Sequence, residues 1–149
     1  MKMMPADMVT YKKFKAYVST RIPEVRSVAF IINAIKKQAE QGTTISSKTI
    51  KDALIWGNPP TVQVEDMPDE GRFRPGTDII RVRKHRVEQF EAGKGLVKTP
   101  KGQLVYYVGV ILLHELTHWA DDQDGVDNPL EEGDEFEKAV YGGVVTMPE

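Results

Sequence analysis

A histidine, a glutamate and a second histidine stand at His114, Glu115 and His118 within Leu112-Leu113-His114-Glu115-Leu116-Thr117-His118-Trp119. In a helix, residues four apart lie one turn above each other on the same face, so both imidazoles can point at one metal ion. Glu115 is not a ligand in that arrangement; it faces a metal-held water, takes its proton as general base and returns it to a leaving amine. Zinc supplies the acidity, lowering the pKa of a bound water from about 15.7 to about 7 and polarising a carbonyl. The residue types therefore predict metal-assisted hydrolysis with zinc as the default ion, although the same ligands also suit iron, manganese or nickel. Short patterns with two free positions also arise by chance. Against chance, two of the chain's three histidines occupy the pattern, and it closes a strongly apolar run. Polar side chains there are costly to bury without a partner.

A third protein ligand is needed, with one coordination position left for water. The expected ligand is Glu132, in Leu130-Glu131-Glu132-Gly133-Asp134-Glu135-Phe136-Glu137, on a helix face shared with Phe136 and Ala139; Gly133 would let that helix approach closely. Glu131, Glu135 and Glu137 stay open as alternatives, because helix phase is not fixed by sequence to better than a residue or so. Asp124 offers a different layout after a sharp turn, one that wants glycine at position 121, where this chain has Asp121. Asp121 and Asp122 are candidates to orient the histidines through their free ring nitrogens. Trp119 and Tyr141 are candidates to line a cleft, Tyr141 as donor to a developing oxyanion, although aromatic residues beside an apolar helix are more often core.

The elements that must position these groups follow from periodicity. Apolar residues recur at helical spacing over Met8 to Val18 and Glu24 to Gln41, with Val25, Val28, Ala29, Ile32 and Ile35 on one stripe, Pro23 in the first turn of the second helix and Gly42 as its stop. Ser46 or Ser47 caps a third, short helix reaching Leu54 or Trp56, and Asn58-Pro59-Pro60 ends it. Thr61 to Glu65 alternates with period two, and Thr77 to Val82 is a second β-rich run after the turn formers Pro75-Gly76, which predicts a small, mainly antiparallel sheet of two to four strands. Val87, Phe90 and Leu96 form a short amphipathic stretch, and Lys98-Thr99-Pro100-Lys101-Gly102 a turn. Leu104 through Leu113 is nearly continuous apolar sequence, expected as a buried helix that delivers His114. Gly125 and Asn128-Pro129 would then reverse the chain into the helix of Glu132.

With Glu131-Glu132-Gly133, Phe136-Glu137 and Tyr141-Gly142 following it, the His114 motif resembles the zincin-like metallopeptidase toxin domains of bacterial polymorphic toxin systems. Those domains are similar to C-terminal effector modules of type VI secretion spike proteins and related exported carriers. The motifs cover the last quarter of the chain; the rest resembles the family in general layout. The resemblance implies an α+β zincin fold of the gluzincin kind: N-terminal helices, a small sheet, a buried active-site helix and a C-terminal ligand helix. His114, His118 and Glu132 would hold Zn2+, Glu115 would be the base, and an edge strand within Thr61 to Val82 would pair with an extended peptide. It also implies a secreted effector delivered into a target cell, a protein or peptide substrate, a cognate immunity protein, and fusion to or association with a secretion spike.

The totals bound the rest. A chain of 149 residues with 40% hydrophobic and 28% charged residues is expected to form one domain, 1–149, large enough to fold without a structural metal. The absence of cysteine removes thiolate zinc sites and cysteine nucleophiles. A net charge of -2 gives no global attraction to nucleic acid, and the basic run Arg81, Arg83, Lys84, His85, Arg86 reads as a solvated face. No run approaches the ~18 apolar residues of a membrane span, and the opening residues carry no signal-peptide core. Two other functions fit the same residues. One is a housekeeping or regulatory zinc protease, the other a non-catalytic binding module with a degenerate site.

Overall fold

The computed structural model describes residues 1–39, 45–123 and 131–149. Strand β1 (Lys2–Met3) leads into α1 (Pro5–Thr10) and α2 (Lys12–Ala16), then a π turn (Tyr17–Arg21) and a 3-10 segment (Ile22–Ser27). Helices α3 (Ala29–Ala39) and α4 (Ser47–Ala53) follow. The two long N-terminal helices expected from periodicity are thus broken, the second at Val28, whose backbone (φ -98, ψ 86) leaves the helical region. Val28 is consequently exposed, while Ile32 and Ile35 keep the buried stripe. Ser46 caps α4 as expected, its hydroxyl accepting from the Thr49 N–H. The expected stop at Gly42 lies outside the described residues.

Three further strands complete the main sheet: β2 (Thr61–Glu65), β3 (Gly71–Phe73) and β4 (Ile79–Arg83), in the order β1-β2-β4-β3. The sheet is mixed, which corrects the mainly antiparallel expectation: β1 with β2 and β2 with β4 are parallel, and only β3 runs antiparallel to β4. Residues 66–78 do not form a simple hairpin turn, because β3 within them takes the antiparallel place beside β4. Period-two alternation is the same for both kinds of pairing and cannot distinguish them. β3 lies at the end of the strand order, so one of its edges has no strand partner among the described residues.

After α5 (Lys84–Glu91), β5 (Leu96–Lys98) and β6 (Leu104–Tyr106) form a separate antiparallel ribbon. The apolar run from Leu104 therefore begins as strand, and the long helix α6 (Tyr107–Asp122) starts three residues later than hydropathy implies. α6 is buried on most of its circumference, including Leu112 and Leu116, which are fully enclosed. It packs on β3 and β4, on α3, and on α7 (Glu132–Tyr141). Val62, Ile80 and Val82 are the fully buried residues of the sheet. The end of α6 is pinned to the β3–β4 connection, where the Trp119 indole N–H donates to Asp78 Oδ1 at 2.8 Å and the Gly76 N–H donates to Asp122 Oδ2 at 2.9 Å.

The basic run is not a uniform solvated face: Arg86 is buried, and Arg83 pairs with Glu70 and Glu149. No helix among the described residues is long and apolar enough to cross a membrane. Because Leu116 sits at the centre of the core, Leu116→Ala is expected to cost about 2–5 kcal/mol in urea unfolding; a loss below about 1 kcal/mol would contradict the central placement of α6.

Candidate metal centre

Residues 107, 111, 114 and 118 fall three or four apart along α6 and share one face. That face forms the floor of a cavity of about 660 Å³, lined by Tyr107, Val110, Ile111, His114, Glu115 and His118. β3 supplies one side through Gly71, Arg72 and Phe73; α7 supplies another through Glu132, Asp134 and Glu137, with Glu131 just before it. Gly71 is a contact requirement, since a Cβ there would lie 2.8 Å from Ile111 Cγ2 and 2.9 Å from Glu115 Cγ. The absence of a side chain lets the strand press against the helix that carries Glu115.

The two imidazole rings have centroids 5.1 Å apart. Each is held from its Nδ1 side by a carboxylate: His114 Nδ1 is 2.5 Å from Glu137 Oε2, and His118 Nδ1 is 2.9 Å from Glu132 Oε1. A carboxylate accepts from an N–H, so a neutral ring with its proton on Nδ1 satisfies each bond and turns its Nε2 lone pair toward the cavity. Both Nε2 atoms face Glu131 Oε1, at 3.3 Å from His114 and 2.7 Å from His118. Glu115 Oε1 lies 3.8 Å from His114 Nε2, with Glu115 itself buried.

The structure thus brings His114, Glu115, His118 and Glu132 into one cavity, with Glu132 on the Nδ1 side of His118 and Glu131 on the Nε2 side of both rings. Glu132 is buried, and its Oε2 has no hydrogen-bond partner among the described residues. The orienting role expected of Asp121 and Asp122 is taken by Glu132 and Glu137. Asp122 holds Gly76 instead, while Asp121 lines the cavity. Glu135 is exposed and pairs with Lys138, away from the rings. Asp124, the alternative ligand, and the turn at Gly125 and Asn128-Pro129 lie outside the described residues. Trp119 and Tyr141 do not line this cavity: Trp119 is buried against Asp78, and Tyr141 packs edge-on against Phe136 at 6.1 Å, with burial raising its phenol pKa. Tyr107 went unnoticed in the sequence, although its position seven residues before His114, two turns along the same face, was a usable signal.

Charge concentrates at His114. Carboxylate oxygens of Glu137, Glu131, Glu115 and Asp134 lie 2.5, 3.3, 3.8 and 4.0 Å from one or other of its ring nitrogens. Burial disfavours the imidazolium, but the Glu137 hydrogen bond and the charges of Glu115, Glu137 and Glu131 outweigh it, pushing the pKa up to about 9. Burial raises the Glu115 carboxyl, opposed by the two histidines. His114, Glu115 and His118 have ligand atoms close enough to share one ion, as do His114, Asp134 and Glu137.

The family model for metallopeptidase toxin 3 matches residues 7–142. No curated protein and no solved structure matches the chain.

Gly133 sits where α7 meets His114, and a Cβ there would lie 2.3 to 2.6 Å from Nε2, Cδ2 and Cε1 of the ring. Either the ring or the helix would have to move. Gly133→Ala is therefore expected to leave the helical circular dichroism intact while weakening divalent-metal binding at least about tenfold in chelator competition. Unchanged metal affinity would show that the approach of α7 to His114 does not shape the site.

Proposed function

The chain belongs to the metallopeptidase toxin 3 family, and from that premise we propose that it is a zinc endopeptidase of gluzincin type with Glu115 as general base. The observation that carries the reading is the convergence of two imidazole Nε2 atoms and a carboxylate oxygen, backed by carboxylates on both Nδ1 atoms. Orienting carboxylates of this kind accompany metal-bound histidines. The excess of carboxylates around His114 also fits a divalent cation.

For the third ligand, Glu132 was the expectation from sequence; the geometry favours Glu131. Its Oε1 is the carboxylate atom that reaches both Nε2 atoms, whereas Glu132 Oε1 is engaged with His118 Nδ1. We therefore assign His114, His118 and Glu131 as ligands, with Glu132 and Glu137 holding the rings. Bound zinc would supply the Lewis acidity for peptide hydrolysis. Glu115 accepts the proton of the attacking water and delivers it to the departing amine; its buried position and raised pKa suit a group that must both take and release a proton. Strand β3 lines the cavity, and its edge without a strand partner among the described residues is suited to pair with an extended peptide backbone.

For the biological role we propose a toxin delivered into a target cell as a secreted effector, acting on a protein substrate, with a cognate immunity protein and fusion to or association with a secretion spike; the match to a metallopeptidase toxin family supports this reading. A housekeeping protease is the rival within hydrolysis, and a gene for a protective partner beside the coding sequence discriminates the two. A non-catalytic binding module is the rival outside it.

Two measurements test the chemistry. Glu115→Gln is expected to keep its zinc while peptide cleavage falls by at least about 100-fold; undiminished cleavage would remove Glu115 from the mechanism. In zinc titrations, Glu131→Ala should lose more affinity than Glu132→Ala or Glu137→Ala, which as orienting groups should cost about 10- to 100-fold each. Near-normal binding in Glu131→Ala with loss in Glu132→Ala would return the ligand role to Glu132.

A further inference from the structure

One wall of the cleft comes from neither the long helix nor the sheet. Val144, Val145 and Thr146, in an irregular segment after α7, line the cavity. Irregular backbone holds a fixed position only if something binds it, and here the binding group is a side chain of α5. Arg86 is 3% exposed. Its Nη2 donates to the Met147 carbonyl at 2.9 Å, and its Nη1 to the Pro148 carbonyl at 3.1 Å. Its Nε donates to Glu70 Oε2 at 2.8 Å. The guanidinium carbon lies 5.3 Å from the ring centroid of Tyr107, another cavity residue.

One end of this network reaches the edge strand that lines the cleft, the other the carboxylate behind His114. Glu70 immediately precedes β3, and its other oxygen accepts from Arg83 Nη1 at 2.9 Å. In the irregular segment, the Val145 N–H donates to Glu137 Oε1 at 2.8 Å, and Glu137 Oε2 holds His114 Nδ1. The planar five-donor guanidinium can satisfy a carboxylate and two carbonyls in different directions, which an ammonium cannot do from one position.

We infer that Arg86 is a positioning residue for peptide hydrolysis: it latches the segment around Val144–Pro148 as a wall of the cleft and ties that wall to the edge strand β3. The inference rests on the reading of the cavity as a peptidase site. Because Arg86 makes no contact with the proposed ligand atoms, its loss acts on how peptide is held rather than on the proton transfer at Glu115.

The test is hydrogen–deuterium exchange of the zinc-loaded protein, comparing wild type with Arg86→Gln and Arg86→Lys, with zinc content and with kcat and KM on a quenched-fluorescence peptide library. The expected result is retained zinc, unchanged protection in α3 and α6, and exchange at Val145 and residues 71–73 faster by about tenfold or more. KM should rise about tenfold while kcat stays within about threefold, and Arg86→Lys should not restore KM. Unchanged exchange at Val145 and 71–73 in folded Arg86→Gln would overturn the latch. A uniform rise through α3 and α6 would reduce Arg86 to a general structural residue and also overturn it. Should Arg86→Gln fail to fold, Glu70→Gln, which weakens the same latch from the strand side, gives the same two-way reading. A wild type that binds zinc but cleaves no library peptide would refute the peptidase reading, while the exchange data would still decide whether Arg86 holds the wall.

Discussion

The hydrogen bonds that Glu137 accepts from His114 Nδ1 and Glu132 accepts from His118 Nδ1 are the interactions on which the rest of the site depends. An imidazole free to rotate or to change tautomer offers a metal no fixed lone pair. With the Nδ1 proton committed to a carboxylate, Nε2 would be the atom presented to a metal, and its direction is set by the carboxylate behind the ring. Two rings one helical turn apart, each fixed in this way, define a point in space toward which Glu131 and Glu115 also reach. The same carboxylates make the site strongly negative, which raises the His114 pKa and favours a divalent cation.

That constraint dictates the architecture around it. Carboxylates can reach the Nδ1 atoms only if a second helix starts close beside α6, and Gly133 permits the approach by leaving no Cβ to strike the His114 ring. On the opposite side, Gly71 performs the same service for β3 against Ile111 and Glu115. Rigid placement of α6 then rests on an enclosed apolar core and on the Trp119–Asp78 and Asp122–Gly76 hydrogen bonds that fasten its end to the sheet. A chain that buries polar groups in this manner accepts a stability cost, since each carboxylate and imidazole must find a partner.

The sequence made some of this legible and hid the rest for identifiable reasons. His114, Glu115 and His118 were readable because helical geometry turns a spacing of four into a shared face. Ser46 was readable as a cap, and Gly133 as a point of close approach. The parallel pairing of β2 with β4 was hidden because alternation looks the same in either sense. The burial of Arg86 was hidden because a run of basic residues ordinarily reads as surface, and nothing local announces that Met147 and Pro148 return to it. The reach of Glu131 to both Nε2 atoms was hidden for a geometric reason. Glu131 is the residue before α7 begins, with φ -80 and ψ 82, so the helical-face argument that favoured Glu132 does not govern where its side chain goes.

In the proposed site, one ion sits where the Nε2 atoms of His114 and His118 converge. Anomalous diffraction at the zinc edge, from crystals of the protein loaded with stoichiometric zinc, tests this most directly. The account predicts a single peak within coordination distance of both Nε2 atoms and of a Glu131 oxygen, with Glu132 and Glu137 remaining on the Nδ1 atoms. A peak on the other side of His114, between Nδ1, Asp134 and Glu137, or no peak at all, would contradict it.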